Sequence, residues 1–188
     1  GKWQLGVFAF VLVQGAATAA ALTGACAYLA RIGAPRGAVL AAFGFFCVAP
    51  FVSTWALTMV KDSLFSLVYV PYFIMLCEVV RTRGAVLGRA RMVAAFMALG
   101  VLLCLTKKTG LYVVAPTALL GLLLYRRWWR PFALQAAACM ATMALVLPLV
   151  VFPLLNVAPG GKQETLGPLF QQTAAYAAAD PDDETADE

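Results

Sequence analysis

The chain has 188 residues, of which 63% are hydrophobic and 12% are charged, and its formal net charge is +5. Soluble domains have roughly 45–50% apolar and about 25% charged residues, so this composition is typical of a membrane protein. The sequence has no P-loop, dinucleotide-binding glycine loop, G-x-S-x-G or H-E-x-x-H motif. Nucleotide-driven, hydride-transfer and zinc-protease functions therefore have no support, and no nucleic-acid partner is predicted.

Six apolar segments follow one another along the chain, at residues 5–30, 37–60, 63–80, 92–105, 111–125 and 132–157. About 20 helical residues cross a hydrocarbon core of about 30 Å. The fourth and fifth segments are short, and they predict either two spanning helices or a re-entrant hairpin. We predict an all-α polytopic transmembrane bundle over residues 1–157. An external amphipathic segment and an acidic linker follow at 158–188, and we expect the sequence to be part of a longer protein.

Basic residues are sorted between alternate connections. Since short cytoplasmic loops carry an excess of basic residues, the arginine-bearing connections are predicted to face the cytoplasm. The lysines, the start of the first segment and the tail are then extracytoplasmic. The arginines lie between the first and second, third and fourth, and fifth and sixth segments: Arg31, Arg36, Arg81, Arg83, Arg89, Arg91, Arg126, Arg127 and Arg130. The lysines lie at the other ends: Lys2, Lys61, Lys107, Lys108 and Lys162.

Prolines interrupt the apolar segments at several points. The carbonyls that a proline frees in a membrane helix must be satisfied by neighbouring helices or by water in a cavity. A bundle with this many breaks is expected to enclose a groove. The prolines are Pro50, Pro71, Pro116, Pro148 and Pro153.

Two opposite charges, Lys61 and Asp62, stand between the second and third segments in "LTMVKDSLF". One interpretation is structural, with Asp62 capping the next helix and Lys61 acting as an interfacial anchor. The other is functional, because a carboxylate held at the membrane surface binds a divalent cation or orients a hydroxyl or phosphate. Both interpretations stay open, since a capping carboxylate keeps a free oxygen.

The second lysine-bearing connection reads "LTKKTG", with Thr106, Lys107, Lys108 and Thr109 followed by Gly110. The structural interpretation places the lysines in the last turn of a helix, with Gly110 as its stop. Alternatively, the two ammonium groups, flanked by hydroxyl groups, form a binding site for a lipid phosphate.

The motifs "KDSLF", "LTKKTGLYVV" and "PGGKQETLGPLFQQTAAY" resemble those of a bacterial family of polytopic membrane proteins, and that family is similar to GT-C-type membrane glycosyltransferases. The resemblance implies an enzyme of the bacterial plasma membrane that takes a sugar from a polyprenyl-phosphate carrier. The acceptor is a glycan, lipid or protein on the extracytoplasmic face. It places Asp62 at the second acidic position of such enzymes, with Mg²⁺ or Mn²⁺ as a candidate cofactor. Lys61, Lys107, Lys108, Thr106 and Thr109 would bind the lipid phosphate. The principal catalytic base would lie in an external loop before residue 1.

Two other functions compete with glycosyl transfer. A transporter or lipid flippase also needs broken helices, and its polar groups near helix centres would be Gln14, Thr18 and Gln135. A non-catalytic membrane scaffold is the third alternative.

Elsewhere, Glu78 and Arg81 are predicted to pair across one helical turn. "YRRWWRP" at 125–131 is predicted to be an aromatic belt with a basic anchor.

Overall fold

A computed structural model describes residues 2–58, 60–155, 171–173 and 176, and the described part contains helices and no β-strand. The chain divides into two compact units, Gly1–Ala144 and Leu145–Glu188. Two short 3₁₀ turns lie at Ala85–Gly88 and Arg126–Trp128, and a π-helical stretch covers Thr142–Val151. The α-helices are α1 (Lys2–Arg31), α2 (Arg36–Val48), α3 (Pro50–Leu57), α4 (Lys61–Arg81), α5 (Ala90–Thr106), α6 (Thr109–Leu124), α7 (Trp129–Ala141) and α8 (Phe152–Leu155).

The core of the first unit lies where α4, α5, α6 and α7 meet. The Tyr72 ring stacks on Phe96 with 5.8 Å between centroids, and Phe96 meets the edge of Phe132 at 5.6 Å. All three side chains are buried. Aromatic pairs at such distances add to the dispersion contacts of a packed interior. This cluster joins α4, α5 and α7, and Phe132 also lies against Gly121 of α6.

The predicted second segment is not one continuous helix. Its helix ends at Val48, Ala49 is extended at φ −67° and ψ 112°, and a new helix begins at Pro50. The two pieces are bent by 59°. The residue before a proline is pushed away from the α region, and proline fits the first helical position, so Pro50 starts α3 and breaks the segment. Pro71 and Pro116 instead lie inside α4 and α6.

The number of helices able to cross a membrane is lower than six in the described part of the chain. Three are long and apolar enough, Trp3–Arg31, Asp62–Arg81 and Arg126–Val150, and the bent pair α2–α3 makes a fourth if it counts as one span. Helices α5 and α6 have 17 and 16 residues, short of the roughly 20 that a straight span needs. Large exposed apolar side chains along these helices, such as Trp3, Leu40 and Leu124, agree with a membrane protein.

The first unit has two chemically different ends. At the arginine end, Tyr28 of α1 donates a hydrogen bond to Glu78 of α4 at 3.1 Å, and Trp128 packs on Gly84 and Gly88. The connections that bear the arginines therefore lie together. At the Asp62 end, Lys107 contacts Asp62. Helix α4 separates the two ends by about 30 Å.

The second unit is described only in part. Its described residues continue the π-helical stretch to Val151 and form α8. Of the predicted external segment at 158–188, the structure describes 171–173 and 176, which are helical and exposed. The rest of that prediction, including the acidic linker, lies outside the described residues.

Candidate functional site

Asp62 is the second residue of α4 and does not cap it. The N-cap is Val60, in an extended conformation and with no side-chain capping bond. The capping interpretation is therefore wrong for this position. A carboxylate in the first turn still suits the helix dipole. It is also free to accept a stronger, charge-assisted bond, and Lys107 Nζ lies 2.5 Å from its Oδ1 atom.

Lys107 and Lys108 form the short turn between α5 and α6. Helix α5 ends at Thr106 with no basic residue in its last turn, and Lys107 is extended at φ −156° and ψ 143°. The interpretation that places the lysines in the last turn is therefore wrong. The extended backbone of Lys107 allows its side chain to reach the start of α4.

Gly110 is not the stop of a helix, because it is the second residue of α6. It is buried, and a Cβ atom built on it would overlap the carbonyl group of Leu103 in α5. Glycine is needed here because two helix backbones approach closely. This close approach makes the turn tight and brings Lys107 over Asp62.

The ion pair lies at the boundary between protein and surroundings, with side-chain exposure of 28% for Lys107 and 35% for Asp62. Lys108 is exposed and has no ion-pair partner among the described residues. Thr106 donates its hydroxyl to the Leu103 carbonyl at 2.9 Å, and Thr109 is exposed. Asp62, Lys107 and Lys108 together carry one surplus positive charge, which is what an approaching phosphate needs. The side chain of Lys61 lies outside the described residues.

The described residues supply few ligands for a divalent cation at this end. One oxygen of Asp62 is bound by Lys107, and no group of three His, Cys, Asp or Glu side chains occurs in the described part of the chain. Mg²⁺ asks for six oxygen ligands in near-octahedral geometry. A cation on Asp62 would take most of its ligands from elsewhere, and the divalent cation stays a prediction.

An apolar cavity of about 370 Å³ opens close to the Asp62 end, between α1, the bent pair α2–α3 and α4. Its lining includes Phe46, Trp55 and Ser66. Ser66 lies one turn after Asp62, and its hydroxyl donates a hydrogen bond to the backbone carbonyl of Asp62 at 2.9 Å. The cavity exists because the bend at Pro50 moves α3 away from the line of α2. The groove expected from the proline breaks is therefore present, and its lining on α4 begins at Ser66, one turn after Asp62.

Ser63 was missed by the sequence analysis. Its buried hydroxyl donates to the Trp55 carbonyl at 2.8 Å and ties α3 to the first turn of α4. A serine next to a charged pair carries no recognisable sequence signal for this role. The bond fixes the position of Asp62 relative to the cavity wall.

Two glutamines join helices inside the bundle. Gln135 is fully buried, donates to the Phe96 carbonyl at 2.8 Å and accepts from the Tyr72 hydroxyl at 3.3 Å. Gln14 donates to the carbonyls of Ala56 and Thr58, at 2.9 and 3.0 Å. The Gln14 Oε1 atom is buried and has no hydrogen-bond partner among the described residues.

The predicted pair at the opposite end is confirmed. Arg81 contacts Glu78 with 2.6 Å between Nη2 and Oε1, three residues apart on α4. Tyr28 donates to the same carboxylate. Glu78 therefore joins α1 to α4 and lies far from Asp62.

Comparisons with known proteins add a family but no activity. No curated protein and no solved structure matches the chain. The profile of a family described as "Family of unknown function (DUF6020)" matches residues 1–188, and the chain belongs to that family.

Proposed function

We propose that the chain is part of a membrane enzyme that transfers a sugar from a polyprenyl-phosphate carrier to an acceptor hydroxyl. The Asp62 end would face the extracytoplasmic side of a bacterial plasma membrane, as the distribution of arginines predicts. One observation carries the proposal. Asp62 and Lys107, 45 residues apart in sequence, form an ion pair at one end of an apolar bundle. A carboxylate and an ammonium group held together there can assist proton transfer and receive phosphate charge.

The proposed reaction breaks the bond between the anomeric carbon and the carrier's phosphate oxygen. The acceptor oxygen forms the new bond to that carbon, and the polyprenyl phosphate leaves with the bonding electrons. The acceptor proton passes to a carboxylate, which the resemblance places in an external loop outside this sequence. Positive groups near the departing oxygen stabilise the charge that develops on it.

Lys107 and Lys108 are suited to the departing phosphate. Lys108 is exposed and has no ion-pair partner within the described residues, so it is available to an incoming anion. Lys107 is held by Asp62 and would be shared with the phosphate as charge grows there. Asp62 would hold Lys107 in place and accept a hydrogen bond from the acceptor. The apolar cavity one turn away suits the isoprenoid part of the carrier.

The test is transfer by the full-length protein in proteoliposomes. Polyprenyl phosphates carrying radiolabelled hexoses or pentoses are supplied together with membrane extract as the source of acceptor. Label that moves from the carrier to another lipid, a glycan or a protein is counted after chromatographic separation. Asp62→Asn and Lys107→Gln are expected to lower the transfer rate by about 100-fold or more.

Glu78→Gln is the matched control, because it removes the other carboxylate of residues 2–155 and breaks a different ion pair. It is expected to keep most of the wild-type rate. Normal transfer by Asp62→Asn in correctly inserted protein would refute the role of Asp62. An equal loss in Glu78→Gln would show that the effect is structural.

A lipid transporter or flippase is the second candidate, and the unpaired buried oxygen of Gln14 favours it. A polar acceptor inside the bundle is a feature of membrane pathways for polar groups. The same proteoliposomes distinguish the two functions. Movement of a fluorescent polyprenyl phosphate between leaflets without release of sugar, lost in Gln14→Leu, supports transport. Release of sugar without such movement supports transfer.

A further inference from the structure

The arginine end holds far more positive charge than the carboxylates of residues 2–155 neutralise. All nine arginines lie in the connections at this end or in the helix turns next to them, and Glu78 is the carboxylate of residues 2–155 that lies there. Arg81 pairs with Glu78. In the described part of the chain, no other arginine forms an ion pair with a carboxylate. Like charges held close together repel one another, so this end is expected to recruit anions from outside the chain.

Three of these arginines line one open cavity of about 710 Å³. Arg83 comes from the connection after α4, and Arg126 and Arg127 come from the turn after α6. All three are exposed. Two connections that are distant in sequence therefore contribute charge to the same cavity, which neither connection forms by itself.

The cavity is shaped by a specific backbone arrangement. Arg83 has a φ angle of +50° and Gly84 one of +84°, so the chain reverses sharply after α4. This reversal lets Trp128 lie flat against the turn. A Cβ atom built on Gly84 would be 2.5 Å from Trp128 Cδ1, and one on Gly88 would be 2.9 Å from Cη2. A left-handed conformation is unusual for arginine, so the surrounding packing must hold Arg83 in it.

The remaining walls of the cavity are apolar. Val80, Leu123 and Leu124 line it and are themselves 64%, 58% and 70% exposed. These side chains belong to the ends of α4 and α6, so the cavity is continuous with the outer apolar surface of the bundle. A ligand with an anionic head and apolar chains matches both surfaces. A free phosphate matches only the arginines.

We propose that this cavity is a binding site for the headgroup of an anionic phospholipid. The phosphate diester would be held by Arg83, Arg126 and Arg127, whose planar guanidinium groups bind phosphate oxygens through paired hydrogen bonds. The acyl chains would lie along Val80 and the two leucines. The site is independent of the sugar-transfer proposal, because it lies at the other end of α4.

Competitive lipid binding to the purified full chain tests the proposal. The protein in neutral detergent is mixed with equal amounts of phosphatidylglycerol and phosphatidylcholine, and the retained lipids are counted by native mass spectrometry. A third sample contains inorganic phosphate in place of lipid. Each basic residue near an anionic headgroup contributes roughly a fivefold factor. The wild type is expected to retain phosphatidylglycerol over phosphatidylcholine by about tenfold or more.

Two triple variants of equal charge distinguish the effect of this cavity on lipid preference from the effect of the overall positive charge at the arginine end. Arg83→Gln/Arg126→Gln/Arg127→Gln is expected to lower the preference to near unity. Arg36→Gln/Arg89→Gln/Arg91→Gln removes three arginines that do not line the cavity, and it is expected to keep the preference. Lysine in place of all three lining arginines keeps the charge without paired hydrogen bonds. That variant should give an intermediate value, and it provides a readout should the glutamine variant fail to fold.

Several results would overturn the proposal. Equal retention of the two lipids by the wild type would remove its basis. An equal loss in both triple variants would assign the preference to overall charge. Retention of inorganic phosphate as strong as that of the lipid would make the ligand a soluble anion.

Discussion

Replacing Gly110 by alanine tests the close approach of α5 and α6 that positions Lys107. Gly110 is buried, and its nearest neighbours are backbone atoms of Leu103 and Cys104. An added Cβ atom meets a carbonyl group that no side-chain rotation can move. The two helices must therefore separate locally, and the turn at 107–108 must shift with them.

The expected loss in the free energy of unfolding follows from this geometry. Overpacking a tight interior costs typically about 1–3 kcal/mol, and a rigid backbone obstacle places Gly110→Ala at the upper end of that range. Gly44→Ala is the matched control, because Gly44 lies inside α2 with nothing within 4 Å of its added Cβ. There alanine gains helix propensity, roughly 1 kcal/mol. The two variants should therefore differ by about 3–4 kcal/mol in free energy of unfolding.

Thermal unfolding of the detergent-solubilised full chain, followed by tryptophan fluorescence, measures this difference. For a domain of this size, each kcal/mol moves the midpoint by about 2–4 °C. Gly110→Ala is expected to lower the midpoint by about 5–10 °C, and Gly44→Ala to raise it by about 2–4 °C. A Gly110→Ala protein as stable as the wild type would refute the packing of the two helices described here.

Three further measurements test other contacts. In a double-mutant cycle, Asp62→Asn and Lys107→Gln should show a coupling energy of about 1–3 kcal/mol, because the bond is charge-assisted and both side chains are only partly exposed. A coupling near zero would argue against the contact. Gln135→Leu should lower the free energy of unfolding by about 1–3 kcal/mol, since it leaves a buried tyrosine hydroxyl without this partner. A thermal midpoint unchanged by that substitution would contradict the buried bond. Gly84→Ala should destabilise the arginine end by about 2 kcal/mol and shift Trp128 fluorescence towards that of a solvated indole, because the residue has a positive φ and the indole lies against it.

The helical segments were predictable because a lipid environment selects runs of apolar residues, and such runs are visible in the local sequence. Runs of apolar residues identified α1 and α4 to within three residues of their ends, and the sixth run begins three residues after the start of α7. The sorting of arginines to alternate connections also predicted which connections lie together. Trp128 packed on Gly84 and Gly88 agrees with that prediction. The side of the membrane that each end faces stays a prediction.

The roles of individual residues were harder to predict, because they depend on atoms from other helices. Asp62 next to an apolar run matches the pattern of a capping residue, but Lys107 from another connection provides a stronger partner. Gly110 after two lysines matches the pattern of a helix stop. Its real function is to let α6 touch the backbone of α5. Both local patterns predicted the wrong role, because contacts with other helices override them.

Composition and the spacing of charges by themselves predicted apolar helices able to cross a membrane and the connections that bring the arginines to one end. Each depends only on how a short stretch of chain partitions between lipid and water. Only the tertiary structure decided that Asp62 meets Lys107, and that Arg83 shares a cavity with Arg126 and Arg127. Those encounters depend on how closely helix backbones approach, and a single hydrogen in place of a side chain at Gly84 or Gly110 decides that distance.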